Sequence, residues 1–316
     1  MNCLCCGKPL KKATESGWHK TCVKKFFGVP VVPNITIDEE TLKELAKEDT
    51  ERGLTVPGVQ KKLSLNIHLT EINARLTLVN YPTGYILKPQ VEEFECLPEA
   101  EQMAMSMADE TGIQTVPHAL LRSGDNVAYI TKRVDRVLEG EMVKKLAMED
   151  FCQLDLRLTQ DKYKGSYERC AKIIRTYSAQ PGFDIAELFM RLVFSFVIGN
   201  SDMHLKNFSL IEKDYESGIY TLAPAYDLLP VNLVLPEDKE EFALTMNGKK
   251  SKIRRKDFFD FAKACNIPDR AAEKMLVKIC SLKPKYRTMC EESLMSQEMK
   301  ERFLDLMENR LAILEA

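Results

Sequence analysis

The chain has 316 residues, 45% hydrophobic and 29% charged, with a formal net charge of −2. That is enough to build one two-lobed domain or two ordinary ones around a proper core. The charge excludes bulk electrostatic attraction to nucleic acid, so any acidic ligand must be held by local groups. The longest apolar stretch, Leu192 to Gly199, is about two helical turns and too short to span a bilayer. No basic segment leads into an apolar run and a small-residue cleavage site. A cytoplasmic protein is expected, whose ten cysteines are reduced thiols or metal ligands rather than disulfides.

Four of those cysteines fall in the first 22 residues. Cys3, Cys6, His19 and Cys22 give the spacing C-x2-C-x12-H-x2-C, two ligand pairs that suit tetrahedral Zn²⁺. Gly7 directly follows the second cysteine, as the turn of a zinc knuckle requires, and Cys5 is the spare. Residues 1–28 thus read as a zinc-knuckle-like segment, structural because no position remains for water, against the alternative of unrelated thiols. Residues 29–57 read as a connector with a charged helical run, Asp38 to Glu51.

Leu63, Leu65, Ile67 and Leu69 then alternate with mostly polar neighbours, predicting a half-buried strand. Further strands are expected at Arg75–Val79, Tyr85–Lys88 and Val127–Thr131. Between the last two lies a helix that starts near Pro98, carries Glu101, Met105 and Ala108 on one face and ends at Gly112. Residues 58–135 form a strand-rich lobe and 136–316 a helical one. The helical part contains an apolar helix over Ile185–Ile198, a hairpin within Asn207–Ala225 that turns near Asp214–Gly218, and a final amphipathic helix over Met299–Leu314. The expected fold class is α+β: a two-lobed protein-kinase-like fold with the knuckle in front.

Chemistry concentrates after the apolar helix. Asp202 precedes Asn207 by five residues, and Asp227 follows the predicted hairpin. Phosphoryl transfer needs a carboxylate to accept the hydroxyl proton, plus an amide oxygen and a second carboxylate on Mg²⁺. Asp202 suits the base, Asn207 and Asp227 the metal, and Lys206 could neutralise charge on the transferred group. Upstream, Val56, Gly58, Val59 and Gln60 belong to a turn whose N–H groups could cradle phosphate. Lys88 ends its strand where it could reach the α- and β-phosphates, with Glu101 as ion-pair partner and Glu99 as competitor. Each residue also has an ordinary reading as a cap, a turn or a solvated charge. His204 reads as a histidine that shapes the loop, the Met103/Met105/Met107 group as core, and the basic run Lys249 to Lys256 as a solvated face.

Taken together, Pro57–Leu65, Ile86–Pro89, Met148–Gln153, Lys164–Glu168, Ile198–Leu210, Pro224–Leu228 and Leu244–Lys249 resemble the HipA-type serine/threonine kinases, toxins of bacterial toxin–antitoxin pairs. The resemblance runs in family order over roughly residues 50–300. It implies ATP bound between two lobes, Asp202 as base, Asn207 and Asp227 on Mg²⁺, Lys88 on the phosphates, and Lys132 to Val134 as the hinge that meets adenine. It places Thr55 at the position of an autophosphorylated loop serine. It implies a HipB-like DNA-binding antitoxin as partner, with DNA reached only through it, and a protein substrate, an aminoacyl-tRNA synthetase in better-studied members. The usual N-terminal subdomain of about 100 residues is missing. This is similar to the separate kinase subunit of tripartite HipBST-type systems, in which a small HipS-like protein supplies that piece. Lys132 and Val134 also depart from the familiar hinge, which has a Glu and an aromatic. Two other readings stay open: a catalytically silent ATP-binding subunit that binds an antitoxin or acts as corepressor, and a small-molecule or lipid kinase.

Overall fold

In the computed structural model, residues 1–12, 14, 16–34, 62–69, 74–77, 84–124, 126–139 and 142–316 are described. The expected connector helix and the turn holding Thr55, Val56, Gly58, Val59 and Gln60 lie outside them. The chain divides into two compact units, Met1–Gln102 with Val116–Arg136, and Met103–Thr115 with Val137–Ala316.

The first unit is built on a five-stranded sheet, β1 (Leu63–Leu69), β2 (Ala74–Thr77), β3 (Tyr85–Pro89), β4 (His118–Ser123) and β5 (Asn126–Lys132), in the order β2-β1-β3-β5-β4. Its pairings are antiparallel, with Leu63 opposite Leu87, Lys88 opposite Tyr129 and Ser123 opposite Asn126. The period-two pattern correctly placed β1, because Leu63 and Leu65 point into the core. It missed β4, whose first four residues are all buried and show no alternation to detect.

The N-terminal segment packs onto this sheet. Its helix α1 (Lys20–Phe27) brings Phe26 and Phe27 into one apolar cluster with Trp18, Leu63, Leu65, Tyr85, Leu87 and Ile130. The Trp18 indole N–H donates to the Leu120 carbonyl at 3.1 Å, and the Tyr85 hydroxyl donates to that of Phe26 at 3.2 Å. The Leu120 N–H on edge strand β4 donates to the Leu4 carbonyl at 2.9 Å, so the segment also meets a polar group of a sheet edge.

Helix α2 (Leu97–Thr111) starts in the first unit and ends in the second. It stops where Gly112 takes a left-handed φ of 85°. Met103, Met105 and Met107 on it are buried.

β6 (Arg136–Glu139) begins at the last residue of the first unit and pairs with β7 (Met142–Lys145) in a two-stranded sheet. Strand β8 (Met148–Asp150) joins β9 (Ser209–Glu212) and β10 (Tyr220–Leu222) in a three-stranded sheet ordered β10-β9-β8. The β9–β10 hairpin lies within the range the sequence predicts. β8, three residues long, is too short to carry a period.

The remaining mass is helical: α3 (Phe151–Leu154), α4 (Tyr167–Tyr177), α5 (Pro181–Ile198), α6 (Val231–Val234), α7 (Arg255–Ala264), α8 (Asp269–Ser281), α9 (Lys283–Glu291) and α10 (Gln297–Glu315). α5 is the axis of the unit. It starts with Pro181 at a position where no backbone N–H is needed, and every residue from Leu188 to Ile198 is buried. α4 and α10 pack against it, and Phe196 meets Phe242 and Phe258 edge-on or tilted.

α5 ends at Gly199, with φ 72° and ψ 36°, in a left-handed cap where Asn200 N–H donates to Ser195 O at 2.8 Å. A Cβ there would also lie 2.6 Å from the Leu306 side chain. Gly199→Ala is therefore expected to cost at least about 1–2 kcal/mol, the left-handed penalty for an L-residue. A fall in the urea midpoint at unchanged slope would register it, and an unchanged midpoint would refute it.

Candidate functional site

The segment that leaves Gly199 has its backbone groups accounted for almost residue by residue. Asp202 N–H donates to the Asn200 side-chain oxygen at 3.3 Å, and His204 N–H donates to Asp202 O at 2.8 Å. The Met203 carbonyl accepts from the buried Tyr167 hydroxyl at 3.0 Å. Leu205 N–H donates to Lys162 O at 3.1 Å, and Lys206 O accepts from the Tyr226 hydroxyl at 3.1 Å. The Ser201 hydroxyl, just inside the cap, donates to Asp238 at 2.6 Å. The loop is thus a fixed structure hung from α5, α4 and the segment after β10.

Within it the side chains divide by exposure. Asn207 is buried, and its Oδ1 accepts from His204 N–H at 3.1 Å. An amide oxygen has two lone pairs, so this bond orients Asn207 without exhausting it. The Asp202 carboxylate is 46% exposed. Its Oδ1 accepts from the Tyr163 hydroxyl at 2.8 Å, and its Oδ2 lies 3.9 Å from His204 Nε2. Asp227 is half-buried, at φ 56°, a left-handed conformation uncommon outside glycine, asparagine and aspartate. Its neighbour Tyr226 bonds Ser209 at 2.6 Å as well as Lys206 O, tying the Asp227 segment to the Asn207 loop.

Asp202 and Asn207 both meet His204, and the Asp227 segment is tied to the same loop through Tyr226. Burial pulls the imidazole down to about 4 despite the upward pull of Asp202 and, more weakly, Asp227. His204 is neutral at pH 7, which fits a residue that shapes the loop. Burial first, then the Asp202 carboxylate, pushes the Tyr163 phenol well up, so it stays a donor.

Lys206 is occupied locally. Its ammonium pairs with Asp150 at 2.5 Å, both side chains largely buried. In the first unit Lys88 is buried and pairs with Glu101 at 2.5 Å, with its ammonium 5.2 Å from the centre of the Tyr129 ring. Glu101, rather than Glu99, takes the lysine. Lys132 ends β5 and Val134 follows it, both half-buried. Beside them Arg133 makes a two-pronged contact with Asp135 at 3.0 Å. Sequence reasoning assigned no role to Tyr163, Asp150 or Tyr226. No motif marks Tyr163, and the other two lie inside matched stretches with nothing to single them out.

The N-terminal cluster is explicit. One ligand atom each from Cys3, Cys6, His19 and Cys22 lies within 4.8 Å of all the others, and no other such group occurs among the described residues. His19 Nδ1 is 3.4 Å from Cys6 Sγ and 3.8 Å from Cys22 Sγ. A tetrahedron with bonds of about 2.0–2.3 Å has corners roughly 3.5–3.8 Å apart, so the donor set is compatible with zinc. His19 Nε2 faces the Pro9 carbonyl at 3.1 Å, which leaves Nδ1 for the metal. Burial raises the Cys3 thiol, but the backbone N–H groups of Cys6, His19 and Cys5 outweigh it and bring the thiol down. Without a metal, Cys5 and Cys22 are both pushed up, by burial first and then by the neighbouring thiols. All ten cysteines are thiols.

Residues 54–285 match the model of the HipA-like C-terminal domain. The chain belongs to that family. Among its relatives, a Haemophilus influenzae protein named "Putative kinase" is 27% identical over 345 aligned positions, 97% of this chain and 95% of its own. In Sinorhizobium fredii, "Putative kinase Y4dM" is 32% identical over 68% of this chain and 53% of its own length. Among solved structures, HipA of Shewanella oneidensis, in complex with HipB and operator DNA, superposes with a TM-score of 0.67 at 19% identity, covering 85% of this chain and 70% of its own. The Helicobacter pylori proinflammatory kinase CtkA gives 0.57 at 16%, covering 82% and 91%. The fold is accordingly the kinase-like one of the HipA family, α+β, with a cysteine–histidine segment in front. No helix among the described residues is long and apolar enough to cross a membrane.

Two outcomes are expected. Metal analysis should find about one zinc per chain, and a chelator should lower the melting temperature, because α1 hangs its aromatics on that cluster; a metal-free chain of unchanged melting temperature would exclude the assignment. Free of ligand, the protein should lose stability as pH falls from about 6.5 towards 4, because the unfolded chain protonates His204 over that window and the folded one does not. The loss is roughly 3 kcal/mol at most. Denaturant titrations of wild type and His204→Asn across this range should converge at the acid end, and parallel curves would refute the assignment.

Proposed function

We propose that this chain is an ATP- and Mg²⁺-dependent protein kinase that transfers the γ-phosphoryl group to a Ser or Thr hydroxyl, as the kinase of a toxin–antitoxin system. The observation that carries the reading is the Asp202 loop. Its one exposed carboxylate already accepts an O–H hydrogen bond at 2.8 Å, while Asn207 is buried and oriented beside it. A base must meet its proton at this kind of distance.

Asp202 takes the proton of the acceptor hydroxyl as its oxygen bonds to the γ-phosphorus, and the bond to the bridging oxygen breaks to release ADP. Asn207 and Asp227 would hold Mg²⁺, which when bound neutralises the phosphate oxygens. The left-handed backbone of Asp227 is the kind of strain found where a side chain must be aimed. Lys88, paired with Glu101, is assigned to the phosphates, and the turn with Val56, Gly58, Val59 and Gln60 to their backbone cradle. Lys206 acts through Asp150: its pair with the strand that leads into α3 braces the loop. Lys132 and Val134 are assigned to adenine, Thr55 to autophosphorylation, and the N-terminal cluster to a structural zinc. A HipB-like protein is the proposed antitoxin, a small HipS-like protein a further partner, and the cytoplasm the site of action.

Asp202→Asn should preserve the fold, since its neighbours bond mainly to backbone, yet reduce phosphate transfer from labelled Mg-ATP by 10²-fold or more. The comparison needs a bacterial lysate, read separately in protein and lipid fractions. Equal labelling by wild type and variant would remove Asp202 as base, label in lipid alone would replace the substrate class, and no labelling by wild type would favour a silent nucleotide-binding subunit.

A further inference from the structure

The segment between α3 and α4 exposes apolar side chains where the fold gains nothing from them. Leu156 is 95% exposed and stands at φ 54°, a left-handed conformation that is unfavourable for a branched residue. Leu158, two residues on, is 67% exposed. A lone exposed leucine needs no explanation, but a strained one beside a second, in a rigid segment, does.

The segment is rigid because its polar groups are buried beneath it. The Asp155 carboxylate, 1% exposed, pairs with Arg157 at 2.5 Å and also with Arg169. Arg157 N–H donates to Cys152 O at 2.8 Å, and the Cys152 thiol faces Leu158 O at 3.2 Å. The backbone is thereby clamped with the leucines outward. The same segment runs through the turn Thr159–Asp161 into Tyr163, five residues past Leu158, whose hydroxyl is the donor on Asp202. Lys162 O, between them, holds the Asp202 loop through Leu205 N–H.

We infer that residues 155–163 form the docking surface for the acceptor protein: Leu156 and Leu158 take an apolar side chain of the substrate close in sequence to its target hydroxyl, and Tyr163 keeps the acceptor's place on Asp202 until that hydroxyl displaces it. The inference rests on the kinase reading above and names what that site recognises. The occupant follows from continuity with Asp202. An extended chain advances about 3.3 Å per residue, so a side chain a few residues from the target Ser or Thr spans the distance that five residues of this segment can cover. Tyr163, 43% exposed, already presents the O–H···carboxylate bond that an acceptor must make. An apolar partner side chain also accounts for keeping leucine, rather than glycine, at a left-handed position.

The test uses the purified full-length chain, labelled Mg-ATP and a phosphatase-treated bacterial lysate, with Mg-ATP binding and melting temperature measured in parallel. Leu156→Gly removes the side chain and relieves the backbone. It should raise the melting temperature yet lower labelling of lysate protein at least fivefold. Combined Leu156→Glu and Leu158→Glu should lower labelling at least tenfold with Mg-ATP affinity within twofold of wild type. Labelling unchanged in both variants would overturn the docking surface and leave the kinase reading intact. Loss of labelling together with Mg-ATP binding would overturn it in favour of a structural role for the segment. No labelling by wild type would overturn it together with the kinase reading.

Discussion

Burial of α5 is the constraint on which the rest of the helical unit depends. From Leu188 to Ile198 every residue is buried, and most of those residues are aliphatic or aromatic. At about 1.5–3 kcal/mol for each large apolar side chain removed from water, the helix cannot slide or fray at its C-terminal end without a large loss. Arg191 is the charged exception within that run. Buried, it bonds Glu187 on its own helix at 3.1 Å and the Ala223 carbonyl beyond β10 at 2.8 Å. One guanidinium thus ties the axis to the hairpin. Gly199 then turns the chain out of the core at a fixed angle, so that Asp202 emerges from a rigid base.

Rigidity there has a chemical purpose. On the proposed function, a proton acceptor and the oxygens assigned to the metal must stay in register while the surrounding water is replaced by substrate, and reorganisation at the moment of reaction would add to the barrier. Backbone hydrogen bonds do most of this work. Tyr167, Tyr226 and the Lys162 carbonyl each fix one peptide group of the loop, and Asn200 and Asn207 fix two more with their side chains. The carboxylate of Asp202 is thereby left half-exposed, hydrogen-bonded by the Tyr163 hydroxyl, which a competing hydroxyl can replace. The Lys88–Glu101 pair is buried as well, and the Lys206–Asp150 pair is largely so. Breaking such a pair on one side leaves an uncompensated charge and costs about 3–5 kcal/mol. Both pairs therefore serve the fold as much as any ligand.

The N-terminal cluster solves a different problem. α1 has only eight residues, too few for a stable helix alone. Ligands at both ends of the knuckle would close its loop, and Trp18, Phe26 and Phe27 convert that closure into cover for one face of a five-stranded sheet. The segment is thus part of the core of the first unit, although its composition gives it the look of an appendage.

Sequence alone determined the parts whose signal is local. Period-two leucines marked β1, the run of apolar residues marked α5, and the spacing of Cys3, Cys6, His19 and Cys22 marked a donor cluster compatible with zinc, because each pattern is set by residues close along the chain. Glu101 as partner of Lys88 was also legible, since strand-end and helix-face positions constrain which acidic residue can turn inward. Only the tertiary structure decided that Tyr163 bonds Asp202, that Lys206 turns to Asp150 rather than outward, that Tyr226 links the Asp227 segment to the Asn207 loop, and that the knuckle packs into the sheet. Those pairings join residues 17 to 102 positions apart. No periodicity spans such a gap; they exist because burial of the core brings distant backbone together and leaves each polar group to find whichever partner the packing has put within reach.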